Sequence, residues 1–347
     1  MFAAARRAAV APGSYAIEDF RAEDAAAIAA AFKTVYGEHY LSDAVYDPSY
    51  FVTANQSGSL RSFVARDTEG QVVGHLALLR SAPYSGLLEI AQGIVLPEHR
   101  RARLLTRMTD HLVTTAESIP NCCGVFGTAL TNHIISQRAL HRSDFRDIGF
   151  EIDYVPARMF DREQSSEGAV ATLIQYRVIR SDPTLAAYLP APYAGVLAGL
   201  FKRLGEERQY RTPRGRMPWV KLSRTSTIDL PRFDMTRLLV RKAAADLEDK
   251  VATLEQEARA SGRRMLQVVL NLGEPACGPA VTLLRRQGFW LGGLLPRWLN
   301  HDGMLLQKSL DVPNFPAIRV ELPETQALLK AIIADAEAVG SKLPKAA

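Results

Sequence analysis

Three arginines, Arg100, Arg101 and Arg103, follow Pro97 and directly precede the amphipathic run LLTRMTDHLVTTA. The first N–H groups of a helix lack intrahelical partners, and the positive end of its dipole points the same way. Guanidinium groups beside such a terminus form charge-assisted bonds to phosphate. Arg100 to Leu105 therefore reads as an anion site; the same residues also fit a solvated surface helix start. Eleven residues before Arg100, Glu89 lies in the apolar segment LLEIAQGIVL. A carboxylate on a central strand is costly to bury unless it has a partner or a task. Strand alternation puts Glu89, Ala91, Gly93 and Val95 on one face. His133 follows another apolar run, CCGVFGTAL, and its near-neutral titration suits proton handling. His39, Tyr40, Tyr46 and Tyr50 crowd the irregular stretch from Glu38 to Gly58, which can bind a ligand or simply pack.

These groups need a scaffold. A chain of 347 residues with 47% apolar content can bury two domain cores. The net charge of +5 suits a polyanionic ligand without specifying one. Three cysteines, of which Cys122 and Cys123 are adjacent, form no metal-ligand spacing or disulfide framework, so no metal is expected and a reducing cytoplasm is the simplest home. No apolar run approaches the length of a membrane span, and residues 1–14 read as a disordered N-terminus.

The pattern predicts a strand over Tyr15–Phe20 and a helix capped by Asp24, then strands over Ser59–Asp67, Gln71–Arg80 and Leu87–Leu96. Pro97 ends the last of these because it has no N–H for a ladder. A helix ending at Ser118, a strand within Asn121–Leu130, a helix over Ser136–Ser143 and a final strand up to Met159 follow. Beyond the polar stretch DREQSSEG, the pattern predicts a strand over Ala169–Arg180, a helix after Leu189, strands within Ser226–Arg241, and then helix, strand, helix, Gly288-Phe289 and two strands. A helix over Thr325–Val339 closes the chain.

Val95, Pro97 and Arg100 match the acyl-CoA signature V-x-P-x-x-R-x-x-G-x-G/A, whose two glycine positions hold Arg103 and Leu105 here. With the strand, R-x-x-D and helix opening at Arg21–Asp24, this stretch resembles the GNAT superfamily of acyl-CoA N-acyltransferases. Val45-Tyr46-Asp47-Pro48, Thr131-Asn132-His133 with Ser136-Gln137, and Gly288-Phe289 to Pro296 followed by Leu306-Gln307 resemble a bacterial GNAT subgroup more narrowly. The resemblance implies an α/β (α+β) protein of two GNAT-like domains, each a mixed, mostly antiparallel twisted sheet flanked by helices. The expected boundaries are 15–161 for the first domain, 162–168 for a linker, 169–322 for a diverged second domain and 323–347 for a C-terminal helix and tail.

The resemblance also implies a chemistry: direct attack of an amine on the thioester of acetyl-CoA or another acyl-CoA, the co-substrate. Ile94, Val95 and Leu96 would bind pantetheine through their backbone. Arg100, Arg101, Ala102, Arg103, Leu104 and Leu105 would hold the phosphates, with Ser136 as a further CoA contact. Glu89 stands where histone-acetylating members place their general base, and His133 is the second proton-handling candidate. Leu140 replaces the usual tyrosine acid; His141, Ser136 or Ser143 are its alternatives. Tyr40 and Tyr46 lie where the acceptor, a small-molecule amine, would bind.

The second half lacks an R-x-x-G-x-G equivalent, so no second CoA site is expected. It would close over the acceptor or form a homodimer interface. From Lys202 to Arg224, eight basic residues stand against two acids, with Tyr210 and Trp219 among them; this reads as a solvated surface, with nucleic acid as the lesser reading and no membrane partner. Two alternatives remain open: a non-catalytic GNAT-like binding or regulatory protein, and an acyltransferase using a carrier-protein or aminoacyl-tRNA donor.

Overall fold

The computed structural model describes residues 15–38, 40–160, 168–219 and 222–340. The expected N-terminal disorder, nearly all of the expected linker, the C-terminal tail and His39 lie outside them, as do the side chains of Arg101 and Ala102. The elements run β1 (Ala16–Asp19), α1 (Ala25–Tyr36), α2 (Pro48–Ser57), β2 (Leu60–Arg66), β3 (Val72–Leu79), β4 (Leu87–Val95), α3 (Leu104–Ser118), β5 (Gly124–Leu130) and α4 (Ile135–Arg142). They continue with β6 (Arg146–Val155), β7 (Val170–Val178), β8 (Ala186–Tyr188), α5 (Ala194–Leu204), β9 (Gln209–Arg211), β10 (Arg224–Leu230) and β11 (Met235–Lys242). The last are α6 (Leu247–Ala260), β12 (Met265–Asn271), α7 (Cys277–Arg286), β13 (Trp290–Leu295), β14 (Gly303–Ser309) and α8 (Pro323–Ala338). The fold class is α+β, with mixed, mostly antiparallel sheet and flanking helices.

The chain forms two compact units. The first comprises Met1–Gly127 and Arg138–Phe145, the second Thr128–Gln137 and Arg146–Ala347. This division differs from a boundary at 162–168. Strand β6, expected in the first domain, pairs with β7 and touches β13 at Gly149 and Gly293, so its ladder partners hold it in the second unit.

In the first unit, β1 to β4 form an antiparallel meander and β4 runs parallel to β5. One face of the meander carries Leu60, Val64, Ala77 and Ile94 against Ile28, Phe32, Val45 and Phe51 of the α1–α2 region. The other face meets α3, where Phe63 packs edge-on to His111. Helix α2 was expected as irregular chain. The Asp47 carboxylate caps it, accepting from the Ser49 N–H at 2.9 Å, and Pro48 fits the first turn. Asp24 does not cap α1 with its side chain; buried, it binds Arg66 at 2.7 Å and the Arg21 N–H at 2.9 Å.

In the second unit the order is β7-β6-β13-β14-β12-β11-β10, with β11 and β12 parallel. The run β11-α6-β12-α7-β13-β14 repeats the order β4-α3-β5-α4-β6-β7: the first two strands are parallel and the last two antiparallel in both. Helices α5 to α8 cover one face of this sheet, around Phe201, Phe289 and Trp290.

Candidate active site

Strand β4 ends at Val95, and Pro97–Ala102 form a 3-10 turn. Arg103 then adopts the left-handed conformation, φ 53°, ψ 29°, before α3 starts at Leu104. A side chain pays a conformational cost in that region, which glycine does not. The turn thus keeps the backbone that a glycine would take while presenting an exposed arginine. No side chain caps α3, and the Arg107 N–H donates to the Arg103 carbonyl at 3.1 Å, so the N–H groups of Leu104, Leu105 and Thr106 head the helix at the basic turn. The exposed Arg100 donates from Nε to the Val95 carbonyl at 3.1 Å. Below the turn, buried His99 meets the Tyr15 hydroxyl at 3.0 Å, and Arg107 donates to the Tyr15 carbonyl at 2.9 Å. The turn and the first turn of α3 are therefore anchored to Tyr15, the residue before β1.

The backbone of Ile94–Leu96 is only partly open. The Leu96 N–H donates to the Val73 carbonyl at 3.0 Å. Antiparallel alternation then turns the N–H and C=O of Val95 to the opposite edge of β4. Arg100 takes that carbonyl, which leaves the Val95 N–H on the edge beyond the end of the β4–β5 ladder. The ladder runs from Leu87–Gly124 to Ile90–Gly127, so it stops one residue after Glu89.

Strict alternation fails on β4. Ala91 pairs with Ala77 and Ile94 with His75, so Gln92 and Gly93 together oppose Leu76. Gln92 takes φ 55° to make this bulge. Glu89, Ala91 and Ile94 consequently share the face of Leu79, Ala77 and His75, toward α1 and α2. Val95 turns to the α3 face, as does Gly93, where an added Cβ would lie 2.9 Å from Leu76 Cδ1 and 3.5 Å from Leu105 Cδ1. Leu105, at the second lost glycine position, thus fills the space before Gly93.

Glu89 is half-buried and accepts a hydrogen bond from the Ser81 hydroxyl. On its face, Tyr40 packs on Tyr36 with ring centroids 5.0 Å apart, and the Tyr40 N–H donates to the Tyr46 hydroxyl at 2.8 Å. Burial, with the nearby Tyr36 and Glu89 groups, pushes the Tyr40 hydroxyl well above its ordinary range. The Gln92 amide meets the Tyr50 hydroxyl at 2.6 Å, and its Oε1 is buried with no hydrogen-bond partner among the described residues. His75, fully buried, holds the bulge: Nδ1 lies 2.9 Å from the Gln92 carbonyl and Nε2 3.0 Å from Ser62 Oγ, which accepts from Asn55. Burial lowers the His75 pKa to about 4, so Nδ1–H donates to Gln92 and neutral Nε2 accepts from Ser62. Sequence reading missed Gln92 and His75. The signal was the Gln-Gly pair interrupting LLEIAQGIV, which marks a bulge.

His133 and Ser136 belong to the second unit, whereas Glu89 and the basic turn belong to the first. The Gln137 amide binds the carbonyls of His133 and Arg319, each at 2.9 Å, and fixes the turn before α4. Ser136 Oγ is buried with no hydrogen-bond partner among the described residues. In the first unit, Leu140 is buried against Gly127, where an added Cβ would lie 3.0 Å from its Cδ1. Cys122, Cys123 and Cys277 are buried thiols, and burial pushes Cys277 up to about 12.

The start of α6 is the counterpart of the start of α3 in the repeated order. Its first N–H, of Leu247, donates to the Ala244 carbonyl at 3.1 Å, and the residues just before it are held by the basic segment: the Ala244 N–H donates to Ser223 Oγ at 2.9 Å and the Ala245 N–H to the Pro218 carbonyl at 3.0 Å. Asp246, Glu248 and Asp249 add negative charge there, which opposes phosphate.

No family model matches the chain, and no curated protein matches it. Among solved structures it is similar to a ribosomal-protein-S5-alanine acetyltransferase from Vibrio fischeri, with 13% identity, 50% of this chain and 97% of that chain covered, and a TM-score of 0.39. An N-acetyltransferase from Staphylococcus aureus Mu50 shows 13% identity over 48% of this chain and 99% of that one, with a TM-score of 0.41. A GNAT superfamily phosphinothricin acetyltransferase from Sinorhizobium meliloti, solved with AcCoA, shows 16% identity over 48% and 88%, with a TM-score of 0.39. Likenesses this distant carry no weight for family or activity. Among the described residues, no helix is long and apolar enough to cross a membrane.

Proposed function

We propose that the chain is a GNAT-type N-acyltransferase that moves an acetyl or longer acyl group from acyl-CoA to a small-molecule amine. The observation that carries this reading is the junction at the end of β4. A parallel ladder stops one residue past a half-buried glutamate, and the same strand runs into a basic left-handed turn at a helix start. Arg100, Arg103 and the first N–H groups of α3 would hold the CoA phosphates. The Val95 N–H would position the pantetheine arm. Glu89, on the face toward α1 and α2, would accept the proton of the attacking amine while Tyr40 and Tyr46 line the acceptor side. Leu140 can donate no proton, so the departing thiolate would take one from the amine or from water. The second half is proposed as a diverged GNAT-like repeat whose corresponding helix start is acidic and repels phosphate.

Leu105 before Gly93 favours a second reading, a GNAT-like protein that binds without catalysis. Calorimetric titration with acetyl-CoA, beside an Arg100→Ala/Arg103→Ala variant, tests both. Micromolar binding lost in the variant, with transfer to a primary-amine panel lowered about 10²- to 10⁴-fold by Glu89→Gln, supports catalysis. Binding without any transfer supports the second reading. No binding at millimolar acetyl-CoA rejects an acetyl-CoA site at the turn.

A further inference from the structure

The segment Gln209–Ile228 contains no acidic residue, and its arginines are not used by the fold in the way their neighbours are. Arg208 is buried between Glu206 and Asp302, and Arg203 is bound to the carbonyls of Asp147 and Glu324. By contrast, Arg211, Arg214, Arg216 and Arg224 are exposed, with no carboxylate partner among the described residues. Among them in the sequence stand Tyr210, 50% exposed, and Trp219, 85% exposed, while Trp290 and Trp298 are buried. A tryptophan left in water on a folded surface gains nothing from folding, and this one lies in the sequence between Arg216 and Lys221.

The backbone under these side chains is pinned. The Arg214 N–H donates to the Pro275 carbonyl at 2.7 Å, the Pro218 carbonyl accepts from Ala245 at 3.0 Å, and the Ser223 N–H donates to Asp246 at 2.7 Å. Gln209–Arg211 pairs with Ala186–Tyr188. At these points the ordering entropy is met in folding, which favours binding by a preorganised surface.

We propose that Tyr210, Arg211, Arg214, Arg216, Trp219 and Arg224 form a binding surface for single-stranded nucleic acid. Phosphates would pair with the arginines, and bases would stack on the exposed rings. An acidic peptide would use the arginines but leave the indole face idle. A second copy presenting the same segment would set arginine against arginine. The inference is independent of acyl transfer, because the segment is held by the residues just before α6 rather than by the turn before α3.

The test is fluorescence titration of the whole chain with uridine and deoxythymidine oligonucleotides of about ten bases. Trp219 is the exposed tryptophan, so a stacked base should quench the red-shifted part of the emission. Four phosphate contacts give a slope of log affinity on log salt of about −3, a loss of about 50-fold between about 50 and 200 mM salt. Trp219→Ala should weaken binding about 5- to 150-fold, read by the anisotropy of a labelled oligonucleotide because the variant lacks the reporting indole. Arg214→Ala/Arg216→Ala should halve the slope and leave acetyl-CoA titration unchanged. Quenching of the wild type by either oligonucleotide, with affinity weakened in Trp219→Ala and the salt slope halved in Arg214→Ala/Arg216→Ala, supports the surface. No quench at low salt, equal binding of polyglutamate without a quench, or a dimer with blue-shifted Trp219 emission each overturns it.

Discussion

Acid should loosen the first unit through one histidine. His75 lies fully buried against Phe32 and Phe51, with ring centroids 6.1 and 5.3 Å away, and its polar neighbours Ser62 and Gln92 are uncharged. Its pKa falls from 6.5 to about 4 because burial penalises the imidazolium. The unfolded chain then binds a proton that the folded chain refuses, so stability falls as pH drops from about 6.5 toward 4. At about 1.4 kcal/mol per pH unit, the loss reaches about 2 kcal/mol by pH 5 and about 3 kcal/mol by pH 4. Full burial leaves no solvent screening to discount. Hydrogen exchange of peptides covering Leu60–Val95, between pH 7.5 and 4.5, reads this directly in wild type and in His75→Gln. Subtracting the variant removes the contribution of carboxylates common to both. The wild type should lose about 2–3 kcal/mol more than the variant over that range. Because Nε2 must accept from Ser62 and Nδ1 hold Gln92, the proposed acyl transfer should fall in step. Equal pH dependence in the two proteins, or an NMR titration of His75 centred near 6.5, would refute the reasoning.

Asp153, buried beside the Asn314 N–H at 3.1 Å, should act with the opposite sign. Burial raises its pKa from 3.8 to about 6, so it stabilises the second unit in acid and loses that stability, up to about 3 kcal/mol, as pH rises through 6. Urea unfolding should show this dependence disappearing in Asp153→Asn. Arg103→Gly should raise stability by about 1 kcal/mol by relieving the left-handed backbone, seen as a higher Tm, while weakening acetyl-CoA binding in calorimetry. Gly149→Ala should destabilise the second unit by about 1–3 kcal/mol in urea, because its Cβ would lie 2.7 Å from the Gly292 carbonyl and 2.8 Å from Gly293 Cα. Leu105→Gly should tighten acetyl-CoA binding in calorimetry if its side chain narrows the donor cleft before Gly93; unchanged affinity would show that it does not.

Most elements were legible because hydrophobic periodicity and turn residues act locally. Proline at 97 and the apolar alternation of β2 and β3 decided strand ends within a residue or two. The basic turn was legible for the same reason: Arg100, Arg103 and the helix that follows are neighbours in the chain. Helix α2 was not, because its evidence lies in the Asp47-Pro48 cap rather than in periodicity. The faces of β4 were decided only in the tertiary structure. The bulge at Gln92 depends on His75, seventeen residues away, and on Ser62 and Asn55 behind it, and it changes which residues join Glu89. The division into units was likewise settled by pairing: β6 follows its partners β7 and β13, at a distance in sequence that no local pattern reports. Within the basic segment, composition set the charge, but only packing separated Arg203 and Arg208, held by the fold, from the arginines that face water. Local chain chemistry therefore determined the pieces, and long-range contacts, whose free energy depends on partners brought together by folding, determined what each piece can touch.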